Sequence, residues 1–364
     1  MRIALAIFIL LHGLIHLLGA AKAFGWADIS QLRAPIAPAA GLVWLAAAVL
    51  LIAAATGLVL RAPWWWYPAL PGVLLSQGLI ATAWGDAKFG SLANAIIAIP
   101  VLVAALDARP SSFRSRFEHD RNALLAEATL AAPRLTEADL APLPPLMQAY
   151  LRRMGAVGRA RVRNLRVTFK AQMRSSATAP WMQATAMQYE FFDQPARLFY
   201  MNASRAGMPL DVFHRYVDGA ATFQVRIAGL IPMVDKRGAG LTNDETVTFM
   251  NDVIVMAPAA VLDLPFTFET IGERSLRATF HNAGFTVSAV LTFDDAGDLV
   301  GFASTDRAHG REGGAATWST PISGYRQVDG VRIGALGDAN WIEPSGEWTY
   351  GRFEITSIAY NVTL

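Results

Sequence analysis

Two histidines four residues apart, His12 and His16, lie in the stretch Leu11-His12-Gly13-Leu14-Ile15-His16-Leu17-Leu18-Gly19, within a run that carries no charge from Ile3 to Ala21. At helical pitch His12, His16 and Gly19 share one face. Such a pair can chelate zinc or copper if a third ligand arrives, and only Asp86 offers a carboxylate near the apolar runs. It suits haem poorly, because two histidines one turn apart cannot take opposite axial positions on one iron. Two other uses are open: a small polar site or proton relay, and hydrogen bonding between packed helices. Gln77 and Asn94 are the partners that the neighbouring apolar runs supply. Further along, His214-Arg215-Tyr216-Val217-Asp218 alternates as a strand would. That places His214, Tyr216 and Asp218 on one face and Arg215 on the other. A His/Asp set on one face can do acid–base work, or it can be a cross-strand hydrogen-bonding group.

Recognisable catalytic signatures are missing. The sequence has no GxSxG elbow, P-loop, HExxH or GxGxxG. Gly310-Arg311-Glu312-Gly313-Gly314 reads as a loop, Asp235-Lys236-Arg237-Gly238 as a solvated turn, and His119, His281 and His309 have no evident partners. There is no cysteine, which removes disulfides, thiolate nucleophiles and cysteine-based metal centres. A formal charge of +2, with no Lys/Arg-rich run carrying interleaved aromatics, gives no sign of a nucleic-acid partner. No cofactor is implied.

The surrounding architecture follows from the distribution of charge. Of 364 residues only 16% are charged, against about 25% in soluble domains. Residues 1–106 carry Arg2, Lys22, Asp28, Arg33, Arg61, Asp86 and Lys88 and no other charge. Four charge-free runs, 3–21, 34–60, 62–85 and 89–106, predict four membrane-spanning helices of about 20 residues. Trp26, Trp64-Trp65-Trp66-Tyr67 and Trp84 stand at run ends, as interfacial aromatics do. Four spans put both termini on one side, with Arg2, Arg61, Arg109, Arg114, Arg116 and Arg121, against Lys22, Arg33 and Lys88 on the other. The bias predicts an inner-membrane, multi-pass protein whose soluble part is cytoplasmic.

Residues 107–161 read as an arginine-rich juxtamembrane helix, a proline-punctuated linker, and a short amphipathic helix from Leu146 that stops at Gly155. From Val162 the pattern has period two, and about a dozen strands follow, with Asp218-Gly219, Asp329-Gly330 and Ser345-Gly346 marking turns. One helix interrupts them over residues 244–257, opened by Thr242-Asn243-Asp244-Glu245 as a capping box. The predicted architecture is therefore a four-span α-helical membrane domain (1–106), a connector (107–161) and an α+β soluble domain (162–364). The soluble domain is a mostly antiparallel curved sheet or half-barrel with a covering helix.

The stretch His12-Gly13-Leu14-Ile15-His16-Leu17-Leu18-Gly19 and Asp86-Ala87-Lys88-Phe89-Gly90-Ser91-Leu92-Ala93-Asn94 resemble an uncharacterised family of bacterial multi-pass membrane proteins. Arg215-Tyr216-Val217-Asp218-Gly219, Gly229-Leu230-Ile231-Pro232, Tyr325-Arg326-Gln327-Val328-Asp329-Gly330, Trp181 and Ile358-Ala359-Tyr360-Asn361 resemble that family's soluble part. The strand–helix–strand order is distantly similar to the lipoprotein-carrier fold of outer-membrane lipoprotein sorting, a half-open barrel with a helical lid. A curved sheet closed by a helix encloses an apolar space, so the sequence points to a membrane-anchored module that meets membrane lipid and holds a lipid or other apolar ligand. The alternatives are a membrane enzyme or small-ion translocator using His12 and His16, and a scaffold for partner proteins.

Overall fold

The computed structural model describes residues 2–30, 32–128, 133–205, 208–308, 316–328 and 330–364. His309, the glycine-rich stretch 310–314 and Asp329 lie outside these. The chain divides into two compact units, Met1–Ser112 and Phe113–Leu364.

The first unit is helical: α1 (Arg2–Ala23), α2 (Pro38–Val59), α3 (Trp66–Thr82), α4 (Trp84–Ala87) and α5 (Gly90–Asp107). Three of these, α1, α2 and α5, are long and apolar enough to cross a membrane. The third charge-free run yields a helix of only 17 residues, α3. Pro63 keeps the start of that run in a turn, and Pro68 and Pro71 then fall inside the helix. Ile9, Leu51, Ala54 and Ile97 are fully buried between the helices, whereas Ile7, Leu14, Leu42, Leu74 and Ile99 are exposed. An apolar exterior of this kind suits lipid rather than water. Trp26, Trp64, Tyr67 and Trp84 are exposed as well. Helices α1 and α2 approach closely because Gly19 has no side chain: a Cβ there would stand 2.2 Å from the Trp44 indole.

The second unit is built on a 13-stranded antiparallel sheet in the order β6-β5-β4-β3-β2-β1-β13-β12-β11-β10-β9-β8-β7. The first six strands are β1 (Asn164–Met173), β2 (Met182–Phe191), β3 (Ala196–Arg205), β4 (Met208–Val217), β5 (Ala220–Ile227) and β6 (Ile231–Arg237). They step outward as a meander. Helix α8 (Ala239–Met256) then carries the chain from one sheet edge to the other. The return meander is β7 (Phe266–Gly272), β8 (Ser275–Asn282), β9 (Phe285–Phe293), β10 (Leu299–Ser304), β11 (Thr317–Val328), β12 (Val331–Glu343) and β13 (Gly346–Tyr360), which pairs with β1. Register shifts at Thr168/Phe169, Val225/Arg226, Leu299/Gly301 and Ala339/Asn340 mark irregularities that bend and twist the strands.

Helices pack on both faces of the sheet, on the outer one over only a few strands. Helix α8 packs on one face, with Val247, Phe249, Met250, Val253 and Ile254 in a core that also takes Phe280, Leu291 and Ile333. The opposite face of β2–β4 takes α6 (Phe113–Glu127), whose Phe113 and Phe117 pack on Tyr189, Leu198 and Phe213. The stretch before the sheet is not a bare connector. Helix α7 (Pro145–Arg153) sends fully buried Met147, Tyr150 and Leu151 into the α8-side core. Gly155 follows at φ 73°, the left-handed stop that glycine allows.

Three local expectations are corrected. Helix α8 starts at Ala239, five residues ahead of the expected start at residue 244, after Gly238 at φ 105°. Thr242 therefore lies inside the helix, where its hydroxyl donates to the Gly238 carbonyl (3.1 Å) and accepts from the Ala221 N–H (3.2 Å). Asp235-Lys236-Arg237 is not a turn but the last part of edge strand β6, paired with Thr222–Gln224 of β5. Asp218 leaves the strand: it is exposed at φ 55° in the β4–β5 hairpin turn, a conformation that aspartate tolerates, so it does not share a face with His214.

Candidate functional site

In the helical unit the expected polar residues largely converge. His12 Nε2 lies 2.9 Å from Asn94 Oδ1 and 3.2 Å from Ser76 Oγ. Ser76 donates to the same Asn94 oxygen at 3.0 Å, Asn94 Nδ2 donates to Gln77 Oε1 at 3.1 Å, and Gln77 Nε2 donates to Ser91 Oγ at 3.1 Å. This network ties α1, α3 and α5 together, the use that packed apolar helices make of amides and hydroxyls. His16 stands beside it, edge-on to His12 and packed on Trp44, with neither ring nitrogen hydrogen-bonded. Asp86 is not part of the network and accepts instead from the backbone N–H of Arg33 at 2.7 Å. Among the described residues no group of three or more His, Asp or Glu side chains is placed to hold a metal ion.

The β domain has a second, denser polar cluster. Strand alternation turns Gln188 and Glu190 of β2, Arg197 of β3 and His214 of β4 toward α8. Helix α8 presents Glu245 and Asp252 to them, seven residues apart and so on one side. Arg197 uses its whole guanidinium. Nε donates to Asp252 Oδ2 at 2.7 Å, Nη1 to Glu245 Oε2 at 3.1 Å and Nη2 to Gln188 Oε1 at 2.9 Å. Gln188 Nε2 donates in turn to Glu190 at 2.8 Å and to Asp252 at 2.9 Å. The planar fork of arginine can meet several acceptors at once, which a lysine ammonium cannot do in this geometry.

Electrostatics sort these groups. Burial alone would raise the Glu245 carboxyl, but His214, Arg197 and Arg307 more than offset it and hold it at about 2. Burial, reinforced by the Asp252 charge, pushes the Glu190 carboxyl well above the usual range. Burial also lowers His214, despite Glu245. His214 Nδ1 lies 3.1 Å from Glu245 Oε1, within reach to donate a hydrogen bond to it. Tyr216 lies on the His214 side of the sheet, its hydroxyl engaged by Thr246 at 3.1 Å and by Asn282. Arg215 points to the other face and pairs with Asp120 of α6 at 2.9 Å.

A pH dependence follows. The folded-state carboxyl of Glu245 lies below its unfolded value, so the stability it contributes is complete above about pH 4.5 and is lost as the pH falls toward 2. The loss is on the order of 3 kcal/mol. Asp298, gripped through both oxygens by Arg153 and Arg332 at 2.6–2.9 Å and held far below the usual carboxylate range, acts in the same direction. Urea unfolding midpoints should fall steeply between pH 4.5 and 3. Glu245→Gln should flatten that limb, and an unchanged limb would contradict the assignment.

Under α8 the sheet leaves a cavity of about 220 Å³. Phe169, Phe199, Met201, Phe223, Val255 and Phe353 make much of its wall. Arg197, His214, Glu245, Asp252 and Arg307 also face it. An apolar chamber with a few converging polar groups is the usual form of a small-molecule site. Arg197, Glu245, Asp252 and Arg307 went unrecognised in the sequence. The available signal was the alternation of Gln188, Glu190 and Arg197 with apolar residues inside strands, on what proves to be the helix-covered face.

The profile of DUF6544, a family of unknown function, matches residues 133–353. Among solved structures, the chain is similar to a domain from Vibrio parahaemolyticus named for outer membrane lipoprotein sorting. That match has 10% identity and a TM-score of 0.33, covering 55% of this chain and 86% of that one. It is also similar to a DUF1329 family protein from Desulfovibrio piger, with 13% identity and a TM-score of 0.35, covering 61% of this chain and 95% of that one. Among curated proteins nothing matches.

Proposed function

Because the chain belongs to DUF6544, a family of unknown function, we propose its function from its own geometry: it is a membrane-anchored binding protein whose β domain holds a lipid or other apolar ligand under α8. The observation that carries this reading is the cavity itself, about 220 Å³ of largely apolar space between the sheet and the helix. A core that only needed to be stable would close on such a space, because unfilled volume costs packing energy. The helical unit supports the anchoring half of the reading. In it, α3 serves as a fourth span despite its 17 residues, at the short end of what crosses a bilayer. Both termini then lie in the cytoplasm of an inner-membrane protein, as the excess of arginines on that side favours. A reporter fused after Leu364 should be active in the cytoplasm, and periplasmic activity would reverse the orientation.

Site-specific cross-linking tests the binding reading. A benzophenone side chain at Met201, in the cavity wall, should capture an acyl chain in intact membranes. The same group at Met187, on the α6 side of the sheet, should not. Equal capture at both positions, or none at Met201, would count against it. One observation favours a second reading, a small-ion translocator: His16 is buried with both ring nitrogens unpartnered beside the His12 network. If His12→Ala and His16→Ala leave fold and phenotype unchanged, that reading goes.

A further inference from the structure

Resting on the binding reading above, we propose that the cavity takes a single-chain amphiphile with an anionic head, and that Arg307 and the Thr320 hydroxyl hold the head. The two cavity arginines differ in how they are satisfied. Arg197 has every nitrogen engaged by Asp252, Glu245 or Gln188. Arg307, just beyond β10, donates from Nη1 to the Tyr350 hydroxyl at 2.9 Å, and its guanidinium lies 4.4 Å from the Trp318 ring centre. Among the described residues it has no carboxylate at ion-pair distance. Its nearest acids are committed elsewhere, Glu245 to Arg197 and His214, and Asp244 to the Ala308 N–H at 2.7 Å.

A guanidinium has five N–H donors and cannot shed its charge, so most of this fork is unspent while the cation faces an apolar chamber. Glu245 and Asp244 offset this charge through space without hydrogen-bonding to it, so its remaining donors are left for an arriving anion. The Trp318 ring beside the guanidinium restrains it, and its fork suits a flat or tetrahedral oxyanion that takes two parallel hydrogen bonds. Thr320 supplies a second, independent sign. It lies two residues beyond Trp318 on the same face of β11, lines the cavity, and its buried hydroxyl has no partner. It can donate to the same head. Size restricts the tail: about 220 Å³ is below the roughly 300–1,000 Å³ of sites for drug-sized ligands, which suits one acyl chain and not two.

Carboxylate and phosphate heads share this chemistry, and the experiment separates them. The full chain, held in an amphipathic polymer, is titrated with dodecanoate, dodecyl phosphate, neutral dodecanol and cationic dodecyltrimethylammonium. At least one of the two anions should bind tenfold or more tightly than dodecanol, and the tighter one identifies the head. Arg307→Gln should weaken the anions by about 10- to 100-fold while moving dodecanol by less than about threefold. Arg307→Lys should keep most of the preference, and Thr320→Val should lower it by about fivefold. Equal affinity for anion and alcohol, or an Arg307→Gln variant that weakens all four probes alike, overturns the proposal and leaves apolar binding standing. If dodecanol too fails to bind, both readings fall.

Discussion

Replacing Arg197 with methionine is expected to destabilise the β domain by about 3–5 kcal/mol, because it strands Glu245 and Asp252 as buried carboxylates with their main cation gone. For a unit of this size that corresponds to a fall of roughly 6–20 °C in melting temperature. The effect is this large because the arginine serves three elements at once. Its nitrogens reach β2 through Gln188 and α8 through both acids, while its backbone is part of β3. Arg197→Lys keeps the charge but not the fork, so it should fall between the methionine variant and the wild type. Thermal unfolding of the full chain followed by circular dichroism checks this. A loss of less than 1 kcal/mol in Arg197→Met would mean that the cluster is not what fastens α8 to the sheet.

The second large effect concerns binding. Val255→Trp adds an indole to the wall of a chamber of about 220 Å³, filling the space that an acyl chain would take. Dodecanol affinity should fall by about 100-fold or more, the equivalent of roughly 3 kcal/mol. The fold should survive, because the added side chain enters open volume and not a packed core, so overpacking costs at most the usual 1–3 kcal/mol. Retained binding in a folded Val255→Trp protein would place the ligand elsewhere.

Much of the architecture was legible in the sequence because its signals are local. Period-two alternation from Val162 onward marks strands wherever it occurs, and the charge-free runs mark apolar helices by length alone. The strand order was not legible: nothing local says that β13 closes against β1 while β6 and β7 remain edges. Nor was the effect of Pro63 and the turn around it, which delay the start of α3 so that the third charge-free run yields only 17 helical residues.

The candidate site was half legible. His214 was singled out from its strand pattern, yet its real partner, Glu245, lies on a helix and matched a capping box in sequence. Tertiary context won there, since two cationic or donating side chains offer that carboxylate more than a helix N-terminus does. Asp218 was misplaced because alternation was carried one residue too far, into the hairpin turn. Arg197 carried only a weak local mark, its place among apolar residues of a strand. A charged residue in a strand is ordinarily solvated, and only the crossing of α8 over that face turns it into the hub. In the helical unit the prospects were better. His12, Gln77 and Asn94 stood out as polar residues in apolar runs, and a bundle has few places to put them other than against one another.

Native mass spectrometry of the full chain, released from its own membrane, tests the central claim most directly. One tightly held apolar molecule per chain is expected in the wild type, retained under conditions that strip loosely attached lipid, and none in Val255→Trp. Equal lipid retention in both proteins, or a wild-type chain that sheds all its lipid, would contradict it.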